Sequence, residues 1–192
     1  VASFSKRLQK AMDQSQLCVG IDPSETELAN FGLPDSAIGA RDYSLRLIEA
    51  CESRVAIIKP QIAYFERFGS AGYLALEEIY SAARAASLLI ISDAKRADIG
   101  STMVGYAQAW FGDDSPLRSD ALTLSPYLGT GSLKELMEYA KDINSGIFML
   151  SATSNPEASE LQTAKSGKAT VSQLVIEGAK EIGGGDAGVV IG

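Results

Sequence analysis

Histidine is absent from all 192 residues. That removes the side chain most often used as a general base near neutral pH, and the commonest nitrogen ligand for metals. Any catalysis must rest on Lys, Asp, Glu, Tyr, Ser or Cys. Cysteine is scarce as well. The two present, Cys18 and Cys51, fall in a strand-like and a helix-like apolar run. Buried free thiols in a reducing cytosol are therefore expected, rather than a disulfide framework. No apolar run approaches the ~20 residues of a membrane span, and the N-terminal stretch has no signal-peptide pattern. Positive charge is in the minority: 17 Lys and Arg against 24 Asp and Glu, a net charge of −7 and a pI of about 4.7. Such a balance argues against a nucleic-acid or anionic-membrane surface and leaves room only for a local basic pocket holding a small anion. A cytoplasmic protein of one domain, long enough to bury a sizeable core, is the resulting expectation.

Six short runs rich in Val, Ile and Leu read as strands: "LCVGID" (17–22), "VAIIKP" (55–60), "LLIISD" (88–93), "ALTLSP" (121–126), "GIFMLS" (146–151) and "AGVVIG" (187–192). They lack strict apolar/polar alternation, as parallel strands covered on both faces do. Helical spacing fills the intervals at 42–53, 70–86, 132–143 and 169–182. Ser132 and Glu135 have the spacing of a capping box. The triple glycine at 183–185 reads as a helix stop. Aromatics Tyr64, Phe65 and Phe68 stand at helical spacing and are expected in the core or at a dimer interface.

Alternating strands and helices mean repeated βα units on a parallel sheet. An open dinucleotide-binding sheet requires a glycine-rich turn after its first strand; here that turn is "GIDPSETE". A (β/α)₈ TIM barrel instead requires polar residues at the C-terminal ends of several strands. Asp22, Lys59, Asp93 with Lys95, Ser125 and Ser151 each stand at such an end, so the barrel is preferred.

The densest charge is in "LLIISDAKRADIGST" (88–102). Residues i and i+2 of a strand share a face, so Asp93 and Lys95 are expected to point the same way, with Asp98 just beyond and Arg96 turned outward. Flanking carboxylates hold a lysine protonated. Such a lysine suits proton delivery to a carbanion better than nucleophilic amine chemistry. A solvated ion-pair network on a loop is the plain alternative; the recurrence of charge at equivalent strand ends favours a functional cluster. "SPYLGTGSL" (125–133) has glycines before a helix but lacks the lysine of a phosphate loop, so an ordinary βα turn is expected.

"DAKRADIGST" resembles the D-x-K-x-x-D-I signature of the orotidine 5′-phosphate decarboxylase family. "LCVGIDP", "IKPQIAYFE", "LTLSPYLGTGSL" and "ATSNPE" are similar to its longer bacterial branch, type 2. The resemblance implies decarboxylation of orotidine 5′-monophosphate (OMP) to uridine 5′-monophosphate (UMP), the last step of pyrimidine synthesis, on a homodimeric barrel using no cofactor and no metal. It further implies that Lys95 donates a proton to the ring carbon that loses carbon dioxide, and that Asp93 faces the substrate carboxylate. Asp98 and Thr102 would reach across the dimer. Asp22 and Lys59 would bind ribose hydroxyls, Lys59 also anchoring the charged array, Ser154 would contact the pyrimidine, and, as a weaker implication, Ser125 and Tyr127 would line the pocket.

A barrel needs eight strands, and six are counted by Gly192. Residues 1–192 are thus expected to form a single barrel domain without its last two βα units. The family's phosphate loop after the seventh strand and arginine after the eighth have no counterpart. A molecule of these units alone would have an open barrel, exposed strand edges and no useful activity. Two other readings compete: a magnesium-dependent sugar-phosphate lyase of the same barrel suprafamily, and a non-catalytic barrel that binds nucleotides or only dimerises.

Overall fold

A computed structural model describes residues 2–192. In chain order the elements are α1 (Phe4–Gln14), β1 (Cys18–Ile21), α2 (Glu25–Asn30), α3 (Ala37–Cys51), β2 (Ile57–Pro60), α4 (Ala63–Glu66), α5 (Ser70–Ala85), β3 (Leu89–Arg96), α6 (Gly100–Phe111), β4 (Ala121–Leu124), α7 (Lys134–Asp142), β5 (Gly146–Ala152), α8 (Ala158–Gln162), β6 (Lys165–Ser166), β7 (Ala169–Thr170), α9 (Val171–Gly183) and β8 (Ala187–Ile191). All six expected strands form. They pair in parallel in the order β1-β2-β3-β4-β5-β8, while β6 and β7 make a separate small antiparallel pair. This is the strand-by-strand progression of a (β/α)₈ barrel, with six of its strands in this chain. Among the described residues β1 and β8 stand at the two edges of the sheet.

Two apolar sets divide the sheet by parity. Ile21, Ile58, Ile90, Leu122, Ile147 and Met149 pack outward with Leu76, Ile79, Met103, Leu136 and Val175 of the helices. Ile57, Ile91 and Ala121 face inward and meet Phe4 and Ala11 of α1, with Leu8 and Phe148 beside them. Helix α1 has its apolar residues at i, i+4 and i+7, so it plugs the N-terminal end of the curled sheet. Gly146 is required there: a Cβ would come within 2.1 Å of Phe4 Cδ1. Arg7 pins the plug by pairing with Asp120, whose other oxygen accepts a hydrogen bond from the Ile90 amide at 2.8 Å. The apolar plug at one end leaves the inner, C-terminal mouth to polar groups.

Three expectations are corrected. Cys51 is buried as expected, but Cys18 is exposed; it opens β1, an edge strand paired only on the side of Ile57 among the described residues. The capping box at Ser132 and Glu135 does not form: Gly129 (φ 94°) opens a 3₁₀ turn over Thr130–Leu133, where the Ser132 hydroxyl donates to Gly129 O at 2.8 Å. The box belongs to α9, between Thr170 and Gln173. Ser151 is turned away from the mouth, because it lies on the outward parity of β5; its hydroxyl donates to Ser172 O at 2.9 Å and Ser172 answers to Ser151 O at 2.8 Å. Phe65 is fully buried, with Tyr64 and Phe68 packed partly buried against the same core. No helix among the described residues is long and apolar enough to cross a membrane.

Candidate active site

Inward parity runs upward from the apolar plug through Ile57 to Lys59, through Ile91 to Asp93 and from Ala121 to Thr123. The same period of two that buries the plug therefore delivers three polar side chains to the mouth. Asp93 is buried at 6% exposure. Its Oδ2 accepts from Lys59 Nζ at 2.7 Å and from Gln61 Nε2 at 3.2 Å. Its Oδ1 accepts from Lys95 Nζ at 2.7 Å and from the Thr123 hydroxyl at 2.8 Å. Four donors thus meet four acceptor positions, which satisfies the carboxylate completely.

Lys95 does not reach this cluster by simple strand alternation. Between Ser92 and Arg96 the register of β3 against β4 slips, and Lys95 has φ of 49° in the left-handed region. The bulge lifts Lys95 over the carboxylate while Arg96 swings outward, as the sequence suggested. Arg96 pairs with Glu66 and covers the rings of Tyr106 and Trp110 with centroid distances of 5.7 and 5.9 Å. A bulge that re-aims a side chain beside a polar pocket costs backbone strain, and the surrounding contacts fix it.

Electrostatics separate the two carboxylates of the mouth. Burial pushes Asp93 upward, but hydrogen bonds from Lys59, Lys95 and Thr123 and the charge of Lys59 outweigh it, holding Asp93 below the usual carboxylate value. Asp22 is pushed up by burial above all, with Asp93 adding to the rise and Lys59 and Lys95 opposing it. Its Oδ1 is buried with no hydrogen-bond partner in the protein. Gly20 makes room for this carboxylate, since a Cβ there would sit 2.9 Å from Asp22 Oδ2.

The remaining sequence candidates are apart from this centre. Asp98 caps its own neighbour, accepting from Ile99 N at 2.8 Å, and bonds to no lysine of this chain. Thr102 is exposed on the first turn of α6. Ser154 is exposed beyond the end of β5, against Gly192. Ser125 and Tyr127 line a neighbouring cleft of about 390 Å³ with Leu150, Gln162 and Val175, and none of the charged residues borders it. Sequence reading missed Gln61 and Thr123. Both carried a signal: Gln61 stands two residues after Lys59, and Thr123 is the polar residue inside an apolar strand.

The model of the "Orotidine 5′-phosphate decarboxylase / HUMPS family" matches residues 15–192. An orotidine 5′-phosphate decarboxylase of Streptomyces coelicolor is 47% identical over 196 aligned positions, covering 98% of this chain and 70% of that protein. One from Corynebacterium glutamicum is 46% identical over 196 positions, covering 97% and 70%. A crystal structure from Streptomyces avermitilis, described as an orotidine 5′-phosphate decarboxylase, superposes with a TM-score of 0.95 at 46% identity, covering 100% of this chain and 70% of its own. With these likenesses spanning its strands, its helices and the charged mouth, the chain belongs to the orotidine 5′-phosphate decarboxylase / HUMPS family.

Proposed function

We propose that these βα units carry the chemical centre, Lys59, Asp93 and Lys95, with which the protein decarboxylates OMP to UMP. The observation that carries this reading is the buried Asp93 carboxylate clamped between two ammonium groups at 2.7 Å each. A substrate carboxylate seated against Asp93 meets a charge that protonation does not relieve, because Asp93 is held ionised. Cleavage of the C–C bond relieves the repulsion: carbon dioxide leaves and the ring carbon keeps the electron pair. Lys95 then gives its proton to that carbon, so an N–H bond breaks as the C–H bond forms, and the amine regains a proton from water. Proton transfer by a positioned group supplies about 10²–10⁴-fold. Fixed charges complementary to the carbanion-like transition state supply much of the remainder.

Asp22 and Lys59 are assigned to ribose hydroxyls; the unpartnered Asp22 oxygen is the acceptor such a donor requires. Ser154 is assigned to the pyrimidine. Asp98 and Thr102 are assigned to the active site of a second copy in a homodimer. The whole of 1–192 acts as six βα units of one barrel domain, and the proposed location is the cytoplasm. The chemistry needs no cofactor.

The lyase reading is less well supported. Both Asp93 oxygens already take two donors, which leaves no lone pair for a magnesium ion. Incubation of the protein with OMP, with and without a chelator, tests the choice. Equal amounts of UMP and carbon dioxide at a chelator-independent rate are expected; a folded protein that yields no UMP, or loses turnover to the chelator, would overturn it.

A further inference from the structure

We infer that Thr123 is a positioning residue of this site, its hydroxyl tying the aim of the Asp93 carboxylate to the backbone turn that presents Lys95. The inference rests on the decarboxylase reading and adds to it a group that touches no substrate. The Lys95 amide donates to Thr123 Oγ1 at 3.0 Å, and Thr123 Oγ1 donates to Asp93 Oδ1 at 2.8 Å. A hydroxyl has one proton. Because the amide claims Oγ1 as an acceptor, that proton goes to the carboxylate. A single atom thus holds both ends of the bulge, at the residue whose φ is 49° and at the charge it must face.

The placement is demanding. Thr123 is 3% exposed and its strand otherwise reads Ala121, Leu122 and Leu124, so the hydroxyl is the one polar side chain in that strand. A buried hydroxyl is retained at a cost unless both its bonds are made. Branching at Cβ restricts the rotamer and keeps Oγ1 pointed into the mouth. A valine of the same shape would keep the packing and lose both bonds.

The charged and titratable groups facing Asp93 are Lys59 from β2, Lys95 from its own strand, and Asp22 and Cys18 from the β1 side. Replacing Thr123 alters none of them. It removes one donor to the ionised form of Asp93, so that carboxyl must titrate at higher pH.

The test compares Thr123→Val and Thr123→Ser with the wild type in the full chain. In Thr123→Val, kcat for OMP should fall roughly 10- to 100-fold, the scale of a misplaced reacting group, with KM nearly unchanged. The acid limb of kcat/KM should move to higher pH, and the Asp93 carboxyl signal in ¹³C NMR should move with it. Thr123→Ser should restore all three. The NMR titration needs no turnover, so a wild type inactive on OMP defeats the decarboxylase reading while the titration still judges Thr123. Thr123→Ala is the second variant without a hydroxyl if the valine fails to fold. A hydroxyl-less variant that matches the wild type in kcat and in the Asp93 titration, or a serine that restores neither, would overturn the inference.

Discussion

Asp22 and Asp93 stand at the same barrel mouth and are driven in opposite directions. Asp93 is buried but paired, and its depressed pKa means that it stabilises the fold above the unfolded carboxylate value of about 3.9; that stability is lost as pH falls through the lower folded value. Asp22 has the reverse sign. Its raised pKa means that the ionised group costs stability as pH rises through the folded value, and the cost disappears below about 3.9. Asp22→Asn should therefore raise the melting temperature at pH 7, by no more than about 2–4 °C, the shift that ~1 kcal/mol produces in a domain of this size. The side chain is partly open to solvent, so screening keeps the gain small. The same change should raise KM for OMP. Melting curves at pH 7 and in mild acid check it: the gain should shrink as pH falls, and a melting temperature lowered at pH 7 would contradict the assignment. At this scale Lys59, Asp93 and Lys95 were legible because charge at the end of an apolar strand is expensive and conspicuous. Gln61 and Thr123 were hidden because uncharged polar residues carry no such mark, although they complete the shell of Asp93.

Among the elements, β3 and the loop leading from it into α6 matter most. The shared direction of Asp93 and Lys95 was expected from ordinary alternation, yet it is reached through a bulge with a lysine in the left-handed region. No glycine or asparagine announces that turn, so sequence alone could not show it. Helix α1 also escaped notice: its run is mostly polar, and its three apolar contacts gain meaning only once the sheet curls around them. Beyond the bulge stand a half-buried Asp98 and the exposed Ile99 and Thr102; Ile99 is 63% exposed. A large exposed apolar side chain, beside an exposed Thr102 and an Asp98 that accepts only its neighbour's amide among the described residues, fits a surface covered by a second copy. If Asp98 acts in the neighbour's site, Asp98→Ala and Lys95→Ala should each be nearly inactive. Mixed and re-associated, they should regain roughly a quarter of wild-type turnover, because random pairing makes half the dimers mixed and gives each one intact site. A mixture as inactive as its parents would refute the shared site.

The whole molecule separates stability from chemistry by height within the curled sheet. Phe4, Ile57, Ile91 and Ala121 close the N-terminal end, and Lys59, Asp93, Lys95 and Asp22 occupy the other, the arrangement expected of a barrel enzyme. With a net charge of −7 the surface as a whole repels an anionic substrate, so the two lysines of the mouth must supply the local attraction. The central claim is that Lys95, held by Asp93, is the proton donor. OMP turnover by Lys95→Ala tests it most directly, measured beside the wild type on samples whose circular dichroism and melting temperature match. The variant should lose nearly all kcat while staying folded; a folded Lys95→Ala that forms UMP at the wild-type rate would contradict the account.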